Sequence, residues 1–217
     1  AEWADNFIDA TLRLSQPISD PKFSSSVTSF FDVASLKEVI PMEDDESYAG
    51  LIQTNVEVQG VMSDIIEERY DEVNASGRAS LSGLIINSNA TPYSVEVNDA
   101  VLLFNPQNVN LEKLNAKLGE SDISANGMFT NYLSYIFSAE ALAGEFEVTS
   151  DFINLDELME VPGDEQAASV DNADGAIETE STEAFALPNN VNFVLDANIK
   201  ELQYDSIEIK EITGSVI

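Results

Sequence analysis

The sequence predicts a mainly β fold, a curled and twisted sheet that is mostly antiparallel and carries a few short helices. Three observations lead there. Apolar residues recur with period two in most segments, the mark of strands with one apolar and one polar face. Those segments are short and divided by Asn, Asp, Gly and Ser turns, with no regular helices between them, which favours antiparallel meanders over βαβ units. Finally, 44% of the 217 residues are hydrophobic, enough for a substantial apolar surface if the pattern segregates it.

Strand-like runs follow one another along the chain. Phe7 to Leu14 comes first, and Asn55-Val56-Glu57-Val58-Gln59 shows the alternation in its cleanest form. Gly77 to Ile86, Tyr93 to Asn98, Ala100 to Phe104, Val109 to Leu118, Ile123 to Phe129 and Gly144 to Phe152 continue the series. Val191 to Ile199 and Ile207 to Ile217 close it. Three segments depart from period two. Ser35 and Glu38 stand at capping-box spacing before Pro41, giving about one turn of helix over 35–40. Met62, Ile65, Ile66, Arg69 and Val73 mark one face of a helix over 63–73, and Tyr132, Leu133, Ile136 and Phe137 mark another over 131–138.

An internal echo links Asp32–Ile40 with Asp151–Met159: Asp, Leu and Glu coincide, and Pro41 and Pro162 follow. A strand followed by a capped turn is expected in both copies. Residues 163–184 hold seven acids and no Lys or Arg, so they read as an acidic flexible loop within one elongated β-domain spanning 1–217. The first and last runs are open strands, so the chain reads as a piece of a longer protein, and its edges are candidates for strand-edge self-association.

Composition removes much chemistry. Forty Asp and Glu against nine Lys and Arg give a formal charge of −31, which repels phosphate backbones and anionic bilayers; no nucleic-acid partner is expected. With no Cys and no His, disulfides, thiolate nucleophiles, imidazole bases and Cys/His zinc sites are absent. No Gly-rich phosphate loop matches, and no complete calcium loop. Carboxylate pairs such as Glu67-Glu68 are inevitable among so many acids. A hydrolase built on two of them stays open in principle, but no catalytic, metal or cofactor-binding residue is assigned.

What remains is apolar surface on strands. Val56 and Val58, then Val95, Val97, Val101 and Leu103, then Phe146, Val148 and Phe152, then Val191, Phe193, Leu195 and Ile199 form stripes of one parity. Either a sealed β-sandwich of structural or adhesive role or a sheet with an accessible greasy groove produces such stripes.

Two motifs favour the groove. Ile18, Asp20, Pro21, Lys22 and Phe23 resemble the "G-x-(I/L)-x-D-P-K-F" turn of the AsmA-like proteins of diderm bacteria, with Gln16 at the usual glycine. Leu111, Leu114, Ala116, Gly119, Ser121, Asp122, Ile123 and Gly127 are similar to that family's recurring "L-x-x-L-x-A-x-x-G-x-S-D-(I/F)-x-x-x-G" hairpin. The likeness runs from about Leu12 to Met159 and again from Leu187 to Ile217, and the order of motifs carries it more than any one of them. The resemblance implies a non-enzymatic periplasmic protein, held in the inner membrane by a helix outside this sequence. It also implies that the stripe residues line an apolar β-groove for phospholipid transfer between the membranes in outer-membrane assembly.

Overall fold

The computed structural model describes residues 2–3, 6–38, 47–87, 91–138, 140–159 and 190–216. Among them, twelve strands form one open sheet. They are β1 (Glu2–Trp3), β2 (Asn6–Ser15), β3 (Lys22–Asp32), β4 (Ser47–Val61), β5 (Asn74–Asn87) and β6 (Val95–Phe104). The second half supplies β7 (Val109–Leu118), β8 (Ser121–Phe129), β9 (Leu142–Ser150), β10 (Ile153–Asn154), β11 (Val191–Tyr204) and β12 (Ile207–Val216). From β1 to β9 neighbours in sequence are neighbours in space and antiparallel. Only β11 departs, running parallel to β9 and β10 before β12 returns beside it.

The helices are short: α1 (Met62–Ile66), α2 (Tyr132–Ser138) and α3 (Leu155–Leu158), with 3-10 turns at Val33–Glu38 and Tyr70–Glu72. The expected helix over 63–73 is thus broken in two. Glu68 at its break has φ +58, a left-handed conformation that no helix interior tolerates. The expected turn over 35–40 begins at Val33, and residues 39–40 lie outside the described residues, as does the acidic segment 163–184. Tyr93–Asn98 and Ala100–Phe104, which read as two strands, are one strand with an extra residue at Asn98. The Ser-rich β3 carries too few apolar residues for its sequence to stand out.

Both copies of the echo end a strand and fold back onto the start of the preceding one. In the first, the Asp32 amide donates to Asn6 Oδ1 (2.5 Å) and Asn6 Nδ2 to Ser35 Oγ (2.7 Å). In the second, Asn154 caps α3 by accepting from the Glu157 amide (3.2 Å), while its own amide donates to the fully buried Ser121 Oγ (2.9 Å). Asp122 next door accepts from the amides of Asp151 (3.1 Å) and Phe152 (2.8 Å). The Ser121-Asp122 pair therefore pins the 151–154 corner to the sheet.

Candidate functional site: the apolar face of the sheet

Paired residues in a ladder share a face, so the registers sort every side chain. From β2 to β5 one face collects Leu12, Leu14, Phe23, Val27, Ile52, Val56, Val58 and Leu81. The other collects Asp9, Thr11, Arg13, Ser24, Ser26, Glu57, Gln59, Asn55 and Arg78, together with the apolar Phe7, Phe30 and Leu51. The segregation continues through β6 to β11, with Leu102, Phe104, Leu111, Leu114, Ala125, Phe129, Phe146, Val148, Val191, Phe193 and Leu195 on the apolar side. Phe129, Phe146 and Phe193 meet edge to face there, with centroids 4.9 to 5.9 Å apart, a favourable geometry for ring quadrupoles.

Irregularities reset which residues of a strand join the apolar face. Asn98 lies between the Val97–Ala116 and Asp99–Asn115 pairs, so two residues of β6 span one step of β7 and the strand changes face. Positive-φ glycines accompany the shift in the adjoining strands, Gly50 at +126° and Gly83 at +61°. Val95 and Val97 consequently join the apolar face through Leu118 and Ala116.

Val101 and Leu103 do not, and this corrects the expected stripe. They pair with Ser80 and Arg78 on one side and with Lys113 and Asn110 on the other, which places them on the polar face. Phe152 is also displaced: β9 ends at Ser150, and Phe152 lies in the corner held by Asp122. The structure brings together Val56, Val58, Val95, Val97, Phe146, Val148, Val191, Phe193 and Leu195, and adds Leu102, Phe104, Leu111 and Leu114. The reset from odd to even apolar positions across Asn98 is the sequence signal for the missed residues. The apolar Val101 and Leu103 obscured it.

At one end of the strands, α1, the Tyr70–Glu72 turn and α2 fold over the apolar face. Val73, Ala75, Val109, Tyr132 and Leu133 form a buried cluster there, packed by Phe23, Val58, Leu102, Phe104 and Phe129. Burial disfavours the phenolate and pushes the Tyr132 pKa up, and its hydroxyl donates to the Asn105 carbonyl oxygen (2.8 Å). At the opposite end the Val33–Glu38 turn and the 151–158 corner close in, burying Ser35, Ser121 and Ser150. Between these ends no second layer covers the face among the described residues. Val56, Leu81, Leu114, Val148 and Leu195 stay half-buried, and eight hydrophobic residues are buried among the described residues.

The polar face has its own hydrogen-bonded track. Asp99 is bridged to Lys113 (2.6 Å) and accepts from Asn115 (2.8 Å), whose amide oxygen accepts from Ser124 (2.9 Å). Those contacts hold the Asp99 carboxyl below the usual range. Indentations of about 210 and 320 Å³ open on this side between β2 and β5, the smaller lined by Arg13, Ser24 and Gln59 and the larger by Phe7 and Phe30 beside Gln53 and Arg78. Among the described residues, no helix is long and apolar enough to cross a membrane, and no three His, Cys, Asp or Glu gather as metal ligands.

The described residues form one mainly β, mostly antiparallel sheet of amphipathic build. No protein-family model, curated protein or solved structure matches the chain.

Proposed function

We propose that this chain is a non-enzymatic, periplasmic lipid-handling module whose apolar sheet face receives the acyl chains of phospholipids passing between membranes. One observation carries the reading: the apolar face runs from β2 to β11, and among the described residues no second layer lies over its middle. A domain ordinarily buries such a face against another sheet or against helices; among the described residues it is covered at the strand ends. A sealed, adhesive sandwich would need an apolar partner layer that the described residues do not supply. Moving a sixteen-carbon chain through water costs on the order of 12 kcal/mol at roughly 0.8 kcal/mol per methylene, and a hydrocarbon-lined face avoids that cost without catalysis. The periplasmic setting and the phospholipid draw on the order of the AsmA-like motifs.

The test is native mass spectrometry and lipid extraction on the protein isolated from membranes, alongside a Val56→Asp/Val148→Asp variant. Co-purified phospholipid that disappears in a cooperatively folded variant is expected. A lipid-free protein, together with global unfolding of the variant, would refute the reading.

A further inference from the structure

The two halves of the polar face treat their polar groups differently. Across β6 to β8, Asp99, Lys113, Asn115 and Ser124 are bonded to one another. Across β2 to β5, at the strand end that carries α1, two ladder rows lie side by side: Arg13, Ser24, Gln59 and Asn74, then Thr11, Ser26, Glu57 and Ser76. All eight line the indentation of about 210 Å³. Among the described residues, none of these eight side chains has a hydrogen bond or an ion pair. Arg13, Ser24, Glu57, Gln59, Asn74 and Ser76 are exposed, and the connections beside them, residues 16–21 and 62–73, are described throughout.

Ser24 and Ser26 are short and lie on β3 between longer side chains, so the indentation is a trough. Arg13 borders it on β2, and Glu57 and Gln59 border it on β4. Those two strands run about 10 Å apart at ~4.8 Å per strand, too far for Arg13 and Glu57 to pair. Four hydroxyls, two amides, one guanidinium and one carboxylate thus offer donors and acceptors in mixture. A small anion would meet one cation with a carboxylate opposed to it, and a small cation the reverse. An apolar ligand would leave the polar groups stranded. A neutral molecule dense in hydroxyls suits them all, because each O–H both donates and accepts. The indentation of about 320 Å³ continues along the same strands and adds Phe30 beside Asn55 and Arg78, aromatic surface against which the C–H face of a sugar ring can rest.

We propose that this trough is a carbohydrate-binding site that takes a neutral oligosaccharide laid along β3. Arg13 and Gln59 donate to sugar oxygens from opposite walls, Glu57 accepts from sugar hydroxyls, and Ser24 and Ser26 bond the ring edge from the floor. Two of the chain's three arginines, Arg13 and Arg78, lie on this run although the whole carries −31. Arg13 balances Glu57, so an uncharged ligand gains hydrogen bonds there without facing a net charge. The trough lies on the side of the sheet opposite the apolar face, and the inference is independent of the proposed lipid handling.

An array of immobilised neutral and acidic oligosaccharides, probed with the fluorescently labelled whole chain, tests the proposal, and the best-retained neutral member is then titrated calorimetrically. Retention of neutral oligosaccharides is expected, with a Kd that changes by less than about twofold between ~0.01 and ~0.15 M salt, because no net charge is exchanged. Arg13→Ala and Gln59→Ala should each weaken binding about tenfold, as the loss of one good hydrogen-bonding group does. Asn126→Ala, on the polar face of β8, should leave the Kd unchanged. All three side chains lie at the surface, so urea midpoints should match that of the parent chain and keep the comparison clean. An array without a retained neutral glycan, binding to acidic glycans alone that collapses as salt rises, or a Kd indifferent to both Arg13→Ala and Gln59→Ala would overturn the proposal. Co-purified lipid is read separately and moves with none of these outcomes.

Discussion

Single side chains on the polar face set how this protein responds to acid. Asp99 lies beside Lys113 and accepts from Asn115, so its carboxylate form is favoured in the folded chain and its pKa is lowered. A carboxyl depressed by folding contributes stability above its unfolded pKa of about 3.9, and that contribution fades as pH falls through the folded value. Asp99→Asn removes the titration. Urea unfolding measured between pH ~5 and ~2 should show a shallower loss of stability for the variant than for the parent chain; identical slopes would mean that Lys113 and Asn115 do not hold the carboxylate in solution. Tyr132 works at the other extreme. Its raised pKa leaves stability intact below the ordinary tyrosine value and removes it as pH climbs through the folded one.

At the scale of strands and turns, the period-two pattern located every long strand except β3. It could not tell where a strand changes face. Val101 and Leu103 have the composition of an apolar stripe and still face Arg78, Ser80, Asn110 and Lys113, because Asn98 adds a residue to β6. The Ser121-Asp122 pair was legible as a motif, but its work in pinning the 151–154 corner needed coordinates. Glycines place the closest strand contacts. A Cβ on Gly77 (φ +147) would sit 2.2 Å from the Asn55 carbonyl oxygen, and one on Gly127 (φ +158) would sit 2.2 Å from that of Glu145. Gly77→Ala and Gly127→Ala are each expected to cost about 2 kcal/mol or more in denaturant unfolding, since neither backbone oxygen can retreat without breaking a ladder. Gly214, whose Cβ would meet nothing within 4 Å, should accept Ala at little cost.

Among the described residues the open sheet is capped at both strand ends and carries no layer between them, and this gives its apolar residues two different environments. Phe146 is 8% exposed within the Phe129–Phe193 ring cluster, whereas Val56 stands half-buried in the open stretch. Phe146→Asp should therefore destabilise by more than about 3 kcal/mol, and Val56→Asp by about 1 kcal/mol. Equal losses, read from the urea midpoints of the two variants, would show that the middle of the face is covered in solution.

The sequence by itself determined the mainly β class, the antiparallel order, the short helical interruptions and the segregation of apolar from polar residues. All of these follow from local periodicity and turn chemistry, which neighbouring residues decide. Only the tertiary structure decided which apolar residues share a face, because a single inserted residue inverts everything beyond it and pairing partners lie tens of residues away. It also decided that one layer, rather than two, forms among the described residues. A half-buried alternating strand looks the same in sequence whether its apolar side meets a second sheet or stands open, so that difference rests wholly on what the chain brings across it.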